Sequence, residues 1–193
     1  MPFRLPGAVL CAASVLFTQS VAAGTITGIL KIKGATPPAI VYVETAAGNF
    51  PPPATHPRVD QKGMTFIPYL LPVVVGTTVD FLNSDNVGHN VFSPDGESYN
   101  LGTWPKGETR SYTFKKTGVY TQLCSIHPEM EAFIVVLQNP FAAVADKDGN
   151  FKIPDVPDGH YVLKVFSKKL KKGDKDKAFP LDVKGATTTS IAF

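Results

Sequence analysis

The chain has 193 residues, of which 44% are hydrophobic and 18% are charged, and its formal net charge at pH 7 is only +3. This weak positive charge does not support binding to nucleic acid, which requires a concentrated basic surface. The length allows one or two domains with a proper core. Its 17 prolines and 16 glycines separate short β-rich segments, so we expect an all-β protein built from sandwiches.

Residues 1–23 have the pattern of a secretory signal peptide. Arg4 precedes an apolar segment at 8–17, and a short polar segment then leads to a pair of alanines. The apolar segment is too short to span a membrane. We therefore expect export to the bacterial periplasm or beyond, cleavage after Ala23, removal of Cys11, and no transmembrane segment in the mature chain.

Two strands and a connector are predicted next. Segments 24–34 and 39–44 alternate between apolar and polar residues, as half-buried strands do. The proline-rich segment 50–57 reads as a connector between domains. His56 lies within this connector, and we expect it on the surface rather than at a metal.

Four residues further along carry side chains that suit a mononuclear copper site. Cys124, His127 and Met130 lie in one short segment, and His89 precedes them. Thiolate and thioether sulfurs suit Cu(I), whereas imidazole also suits Cu(II). Two histidines, one cysteine and a weak axial methionine therefore fit a copper that transfers electrons.

The loop that contains the cysteine has a predicted strand on each side. Segments 118–123 and 132–137 are rich in β-branched and aromatic residues. Once the signal peptide is removed, Cys124 is the one cysteine left. An unpaired cysteine in an oxidising compartment needs a reason. Metal binding provides one, and a buried structural cysteine is the alternative.

A series of short motifs connects these residues. They are Gly76-Thr-Thr-Val-Asp-Phe81, Asn83-Ser-Asp85, His89-Asn90-Val91, Tyr112-Thr-Phe114, Thr117-Gly-Val-Tyr120 and the cysteine loop. In this order they resemble the cupredoxins, the blue copper family that includes plastocyanin, pseudoazurin and amicyanin. The resemblance implies a Greek-key β-sandwich with one type 1 copper, whose ligands are His89, Cys124, His127 and Met130.

The same resemblance suggests roles for the neighbouring residues. Asn90 is expected to orient the site by a hydrogen bond to the cysteine loop. Electrons are expected to pass through the ring edge of His127, with Ile126, Pro128 and Glu129 on the docking surface for a redox protein partner. Amicyanin-like loops often have proline where this chain has Ile126. The carboxylate of Glu129 should lower the copper potential and favour a cationic partner.

The C-terminal part has a different character. Segment 142–165 predicts two strands joined by Asp-Gly turns, and it resembles the carboxypeptidase regulatory-like domain, a small transthyretin-like β-sandwich. This resemblance implies a discontinuous domain at 24–50 and 139–193, with a cupredoxin domain at 51–138 inserted into it. Secreted bacterial proteins with a similar combination include some labelled as methylamine utilisation proteins.

Other polar residues in this part favour structural interpretations. Asp146, Asp148 and Asn150 lack the pattern of an EF-hand, so we expect a turn rather than a calcium site. His160, beside a turn glycine, is expected to be exposed. The lysine-rich segment 164–177 is expected to form a solvated hairpin, and its alternative role is docking to an acidic partner or an anionic surface.

Three functions remain open at this stage. The first is electron transfer by a non-enzymatic copper protein. The second is copper binding for delivery, which would use the same four ligands. The third is a structural module whose regulatory-like domain binds a glycan or a protein. Copper oxidase chemistry is rejected because the chain has four histidines and none of them form His-x-His pairs.

Overall fold

A computed structural model describes residues 23–33 and 38–193 of the chain, and this part is almost entirely β-structure. The strands are β1 (Ala23–Lys31), β2 (Ile40–Val43), β3 (Arg58–Gln61), β4 (Phe66–Ile67), β5 (Leu70–Val74), β6 (Thr78–Asn83), β7 (His89–Ser93), β8 (Tyr99–Trp104), β9 (Thr109–Thr113), β10 (Gly118–Leu123), β11 (Glu131–Leu137), β12 (Ala142–Val144), β13 (Asn150–Pro157), β14 (Gly159–Phe166), β15 (Phe179–Val183) and β16 (Ala186–Ala192). A short 3₁₀ helix covers Lys172–Asp174.

Strands β3 to β11 form what we call the central sandwich. One of its sheets has the order β5-β11-β10-β7-β8, and the other has the order β4-β3-β6-β9. The core between them contains large side chains that are almost fully buried, including Phe81, Trp104, Phe114 and Tyr120. Alternation explains the inward face of β6, where Val79 and Phe81 are buried and their neighbours are partly exposed.

The remaining strands form the terminal sandwich, named for the two ends of the described chain. Its sheets have the orders β13-β1-β16 and β12-β2-β14-β15. A separate hydrophobic core lies between them and includes Ile26, Val41, Ile153 and Leu163. The predicted all-β class with two sandwiches is confirmed. The domain bounds, 24–50 with 139–193 and 51–138, stay a prediction.

Strand β11 is buried on both faces because it lies between the two sandwiches. Ala132 and Ile134 belong to the central core. The opposite face, formed by Phe133, Val135 and Leu137, packs in a third cluster that also contains Ile40 of β2. The strand that follows the cysteine loop is therefore covered on both faces.

The predicted strands at 118–123 and 132–137 are confirmed as β10 and β11, and those near 24–34 and 39–44 as β1 and β2. The prediction for 142–165 was incomplete, since three strands occur there. The strands joined by these turns do not pair with each other: β13 pairs with β1, whereas β14 pairs with β2 and β15. The turns therefore carry the chain from one sheet to another.

Asp146 closes the first of these turns. Its Oδ1 accepts hydrogen bonds from the backbone N–H groups of Asp148 and Asn150 at 2.9 and 2.8 Å. Hydrogen bonds from Asn150 are the main cause of the lowered pKa of Asp146. Gly149 has a φ of 85°, and a Cβ there would lie 2.1 Å from the carbonyl oxygen of Leu30. These contacts match the turn that the sequence predicts.

The N-terminal predictions fall mostly outside the described residues. The proposed signal peptide at 1–23 has only Ala23 within them, and Cys11 lies outside. In the part of the chain that the structure describes, no helix has the length and apolar character needed to cross a bilayer.

Replacing Phe133 by alanine is expected to lower the free energy of unfolding by about 3–5 kcal/mol, because it leaves a cavity between the two sandwiches. The Phe133 ring contacts Tyr69 and Phe166, with centroids 5.6 and 5.2 Å apart. Chemical denaturation of the metal-free protein measures the change. Val119→Ala on the neighbouring strand serves as the control, because Val119 is 38% exposed and should change stability by about 0.5 kcal/mol or less. Equal effects of the two substitutions would contradict the prediction.

Candidate metal centre

The sheet order brings His89 to the cysteine loop. Strands β7 and β10 are antiparallel neighbours, with Leu123 opposite Phe92. The start of β7 and the end of β10 therefore lie at the same end of the sheet. His89 is the first residue of β7, and Cys124 directly follows β10.

Three of the predicted metal-binding side chains meet at this point. The Nδ1 atoms of His89 and His127 lie 3.0 Å apart, and His127 Nδ1 lies 3.9 Å from Cys124 Sγ. One ligand atom from each of the three residues lies within 4.8 Å of the other two. His89 and Cys124 are almost fully buried, whereas His127 is partly exposed.

The position of the ring proton on His89 leaves the other ring nitrogen able to bind a metal. Its Nε2 lies 2.9 Å from Oδ2 of Asp85. A hydrogen bond from the backbone N–H of Met64, supported by those from Gly63 and His89, lowers the pKa of Asp85 to about 2. An ionised carboxylate only accepts hydrogen bonds, so Nε2 of His89 carries the proton. In the neutral ring, Nδ1 then directs a lone pair towards Cys124 and His127.

Met130, the fourth predicted ligand, is buried in the core of the central sandwich. Its side chain is 1% exposed and belongs to the same core cluster as Cys124. Its backbone N–H donates to the carbonyl oxygen of His127 at 3.0 Å, which closes the loop into a turn. The turn fixes how the chain passes from His127 to β11.

Asn90 joins the cysteine loop to the adjacent strands. Its Oδ1 accepts from the backbone N–H of Ser125 at 3.2 Å, and its Nδ2 donates to Asn100 Oδ1 and to the carbonyl oxygen of Gly102, both at 2.8 Å. The backbone N–H of Asn90 points at Cys124 Sγ from 3.4 Å. Asn90 therefore contacts the cysteine loop through both its side chain and its backbone.

The surface around His127 is formed by its neighbours in the loop. Ile126, Pro128 and Glu129 are all exposed, Ile126 at 47%. His56 and His160 lie elsewhere and are exposed, each beside a carboxylate, Asp80 and Asp182 respectively. His89, Cys124 and His127 thus form a cluster that does not include these two histidines.

Sequence reasoning missed Asp85 as a neighbour of His89. The residue stands in a recognised motif, Asn83-Ser-Asp85, but that motif gives no reason to pair its carboxylate with the imidazole four residues later. Such spacing indicates contact on a helix, whereas this segment is a loop before β7.

The donor set fits copper. Two imidazole nitrogens and one thiolate converge in a largely buried site, and this combination suits copper better than hard cations such as Mg²⁺ or Ca²⁺, which prefer oxygen ligands. The partner of His89 Nε2 is a carboxylate, as is common for histidines that bind metals.

Comparison with known proteins agrees with this chemistry. The family model for copper binding proteins of the plastocyanin/azurin family matches residues 54–137. An oxidized alanine variant of amicyanin is 30% identical, with a match that covers 42% of this chain and 81% of amicyanin at a TM-score of 0.40. A purple cupredoxin from Nitrosopumilus maritimus is 28% identical over 42% of this chain and 98% of its own, at a TM-score of 0.38.

A copper-containing nitrite reductase from Thermus scotoductus SA-01 also matches, with 31% identity over 48% of this chain and a TM-score of 0.42. The chain spans only 25% of that reductase. A search of curated proteins gave no match.

A β-sandwich with a His, Cys, His cluster at one end of a sheet has the donor set of a copper-binding protein. Residues 54–137 form a domain that matches the plastocyanin/azurin family of copper binding proteins. It provides a single copper site at the cluster of His89, Cys124 and His127.

Replacing Asn90 by alanine is expected to lower the free energy of unfolding of the metal-free protein by about 1–3 kcal/mol, because Ser125, Asn100 and Gly102 lose their partner. Chemical denaturation measures the change. Asn86→Ala is the matched control, since Asn86 is exposed and its side chain accepts from Lys106. It should change stability by about 0.5 kcal/mol or less. The prediction is wrong if both variants unfold at the same denaturant concentration.

Proposed function

We propose that the protein is an exported type 1 copper protein that carries single electrons, with His89, Cys124, His127 and Met130 as its ligands. The observation that carries the proposal is the convergence of His89, Cys124 and His127 within 4.8 Å. Bound copper would supply a one-electron couple, Cu(II)/Cu(I). The four side chains suit both oxidation states.

The surroundings of the ligands support electron transfer because they limit movement. His89 begins β7, Cys124 follows β10, and Met130 precedes β11, so three of the four proposed ligands adjoin strands of one sheet. Asn90 and the turn from His127 to Met130 hold the loop between these strands. A site that stays in one geometry requires little rearrangement when the charge changes.

His127 is the proposed point of electron exchange by outer-sphere transfer. It is partly exposed, whereas His89 and Cys124 are buried. Ile126, Pro128 and Glu129, its neighbours in the loop, are exposed, and we propose that they form the docking surface for a redox protein partner.

The N-terminal segment and the terminal sandwich have separate proposed roles. We propose that residues 1–23 direct export and that the terminal sandwich is a carboxypeptidase regulatory-like domain, with a glycan or protein as its partner. Lys164, Lys168 and Lys177 in the basic segment each pair with a carboxylate. These pairings support the interpretation as a solvated hairpin. We propose no enzymatic activity, because a second copper centre would need further paired histidines.

Copper delivery is the competing function for the same ligands. Delivery requires ligands that exchange readily, and these are usually exposed. Only 2% of Cys124 and none of His89 is exposed, which favours retention of the metal and supports the electron carrier over the delivery protein.

The visible absorption spectrum of the purified protein loaded with Cu(II) tests the proposal. An intense thiolate-to-copper band is expected, which bleaches on reduction and returns on oxidation over repeated cycles. Cys124→Ser should abolish the band, whereas His56→Ala, which removes an exposed histidine of the same sandwich, should retain it. Absence of the band in the parent protein, or loss of copper on reduction, would overturn the electron-carrier function and favour delivery.

Replacing Glu129 by glutamine is expected to raise the reduction potential, because an anion beside the site stabilises Cu(II) over Cu(I). It should also slow electron transfer to a cationic cobalt complex but not to anionic hexacyanoferrate. The difference between these two rate changes should become smaller as salt is added, because salt screens the charges. Redox titration and stopped-flow kinetics measure the two effects. Asp148→Asn makes the same charge change in the terminal sandwich and should leave both unchanged. If Glu129→Gln changes neither quantity, the carboxylate has no part in tuning or docking.

A further inference from the structure

The carboxylate of Asp85 connects the metal centre to a turn on the opposite sheet. Its Oδ2 lies 2.9 Å from His89 Nε2 and accepts from the backbone N–H of Met64, also at 2.9 Å. Its Oδ1 accepts from the backbone N–H of Gly63 at 2.7 Å. Gly63 and Met64 form the turn between β3 and β4, and both have positive φ angles, of 66° and 55°. Both oxygens are therefore held, and the carboxylate cannot rotate freely.

The loop that carries Asp85 is itself fixed. The backbone N–H of Asp85 donates to Asn83 Oδ1 at 2.9 Å. The Nδ2 of Asn83 donates in turn to the carbonyl oxygens of Val87 and Trp104, at 2.8 and 2.9 Å. Trp104 is the residue opposite His89 in the β7–β8 pair. Asn83 thus holds both the loop that carries Asp85 and the residue of β8 that lies opposite His89.

We propose that Asp85 is a positioning residue that fixes the ring of His89 and strengthens its Nδ1 as a copper ligand. The proposal rests on the electron-transfer function given above. An ionised acceptor at Nε2 sets the tautomer and raises the basicity of the opposite nitrogen. Its negative charge, next to a ring that is fully buried, stabilises Cu(II) more than Cu(I) and so lowers the reduction potential.

The chain contains a natural control for this contact. Asp80 Oδ1 lies 2.9 Å from Nδ1 of His56 and also accepts a hydrogen bond from Ser111. The two carboxylates are similarly exposed, Asp85 at 17% and Asp80 at 21%. The difference is in the imidazole, because His56 is exposed and outside the metal cluster. Asp80→Asn therefore removes the same charge from an Asp–His pair that lies outside the metal cluster.

The test compares Asp85→Asn, Asp85→Glu and Asp80→Asn in the full copper-loaded protein. Asp85→Asn keeps an oxygen acceptor but loses the charge. It should weaken Cu(II) binding by about 10–100-fold in competition titrations and raise the reduction potential. Asp85→Glu, which keeps the charge, should have a potential closer to that of the parent. Asp80→Asn should leave the affinity and the potential unchanged.

Thermal unfolding of the metal-free variants separates an effect of Asp85 on the reduction potential from an effect on the stability of the fold. If Asp85→Asn lowers the melting temperature but keeps the parent potential, Asp85 only anchors the β3–β4 turn and the proposal is overturned. A rise in potential equal for Asp85→Asn and Asp80→Asn also overturns it. If the parent protein lacks the thiolate-to-copper band, both the proposed function and the role of Asp85 fail. If the parent shows the band but Asp85→Asn behaves like the parent, the role of Asp85 alone fails.

Discussion

The antiparallel pairing of β7 with β10 is the constraint on which the metal centre depends. It places the first residue of β7 beside the residues that follow β10. His89 and Cys124 are 35 positions apart in the chain, yet their ligand atoms lie within 4.8 Å in the cluster. A register shift of one residue would turn His89 to the other face of the sheet. The backbone hydrogen bonds of the sheet therefore determine the geometry of the site as much as the loop does.

The terminal sandwich contacts β11, the strand that follows the cysteine loop. This strand follows Met130 and is buried on both faces, by the central core on one side and by Phe166 and Ile40 on the other. At its start, Glu131 pairs with Lys168 at 2.7 Å. An exposed ion pair of this kind contributes little, so the apolar contacts of Phe133, Val135 and Leu137 provide most of the stabilisation. The second sandwich thus makes the exit strand of the loop rigid.

The sequence was informative where the signal is local. Alternating or β-branched segments predicted β1, β2, β10 and β11, and the types of the side chains indicated the metal. It was uninformative about β3, which is short, contains Arg58 and Asp60, and pairs in parallel with β6. The contact of Asp85 with His89 could not be predicted either, because it depends on the β3–β4 turn. Pairings between distant segments leave no local pattern.

The two histidines of the site differ in a way that suits different roles. His89 is fully buried, and its outer nitrogen is occupied by a fixed carboxylate. His127 is partly exposed and lies among exposed loop residues. A carboxylate that held the outer edge of His127 would cover the surface through which the proposed electron transfer takes place. A carboxylate hydrogen-bonded to the imidazole is therefore compatible with electron exchange through the other histidine when it lies at the buried ring, and Asp85 lies at that ring.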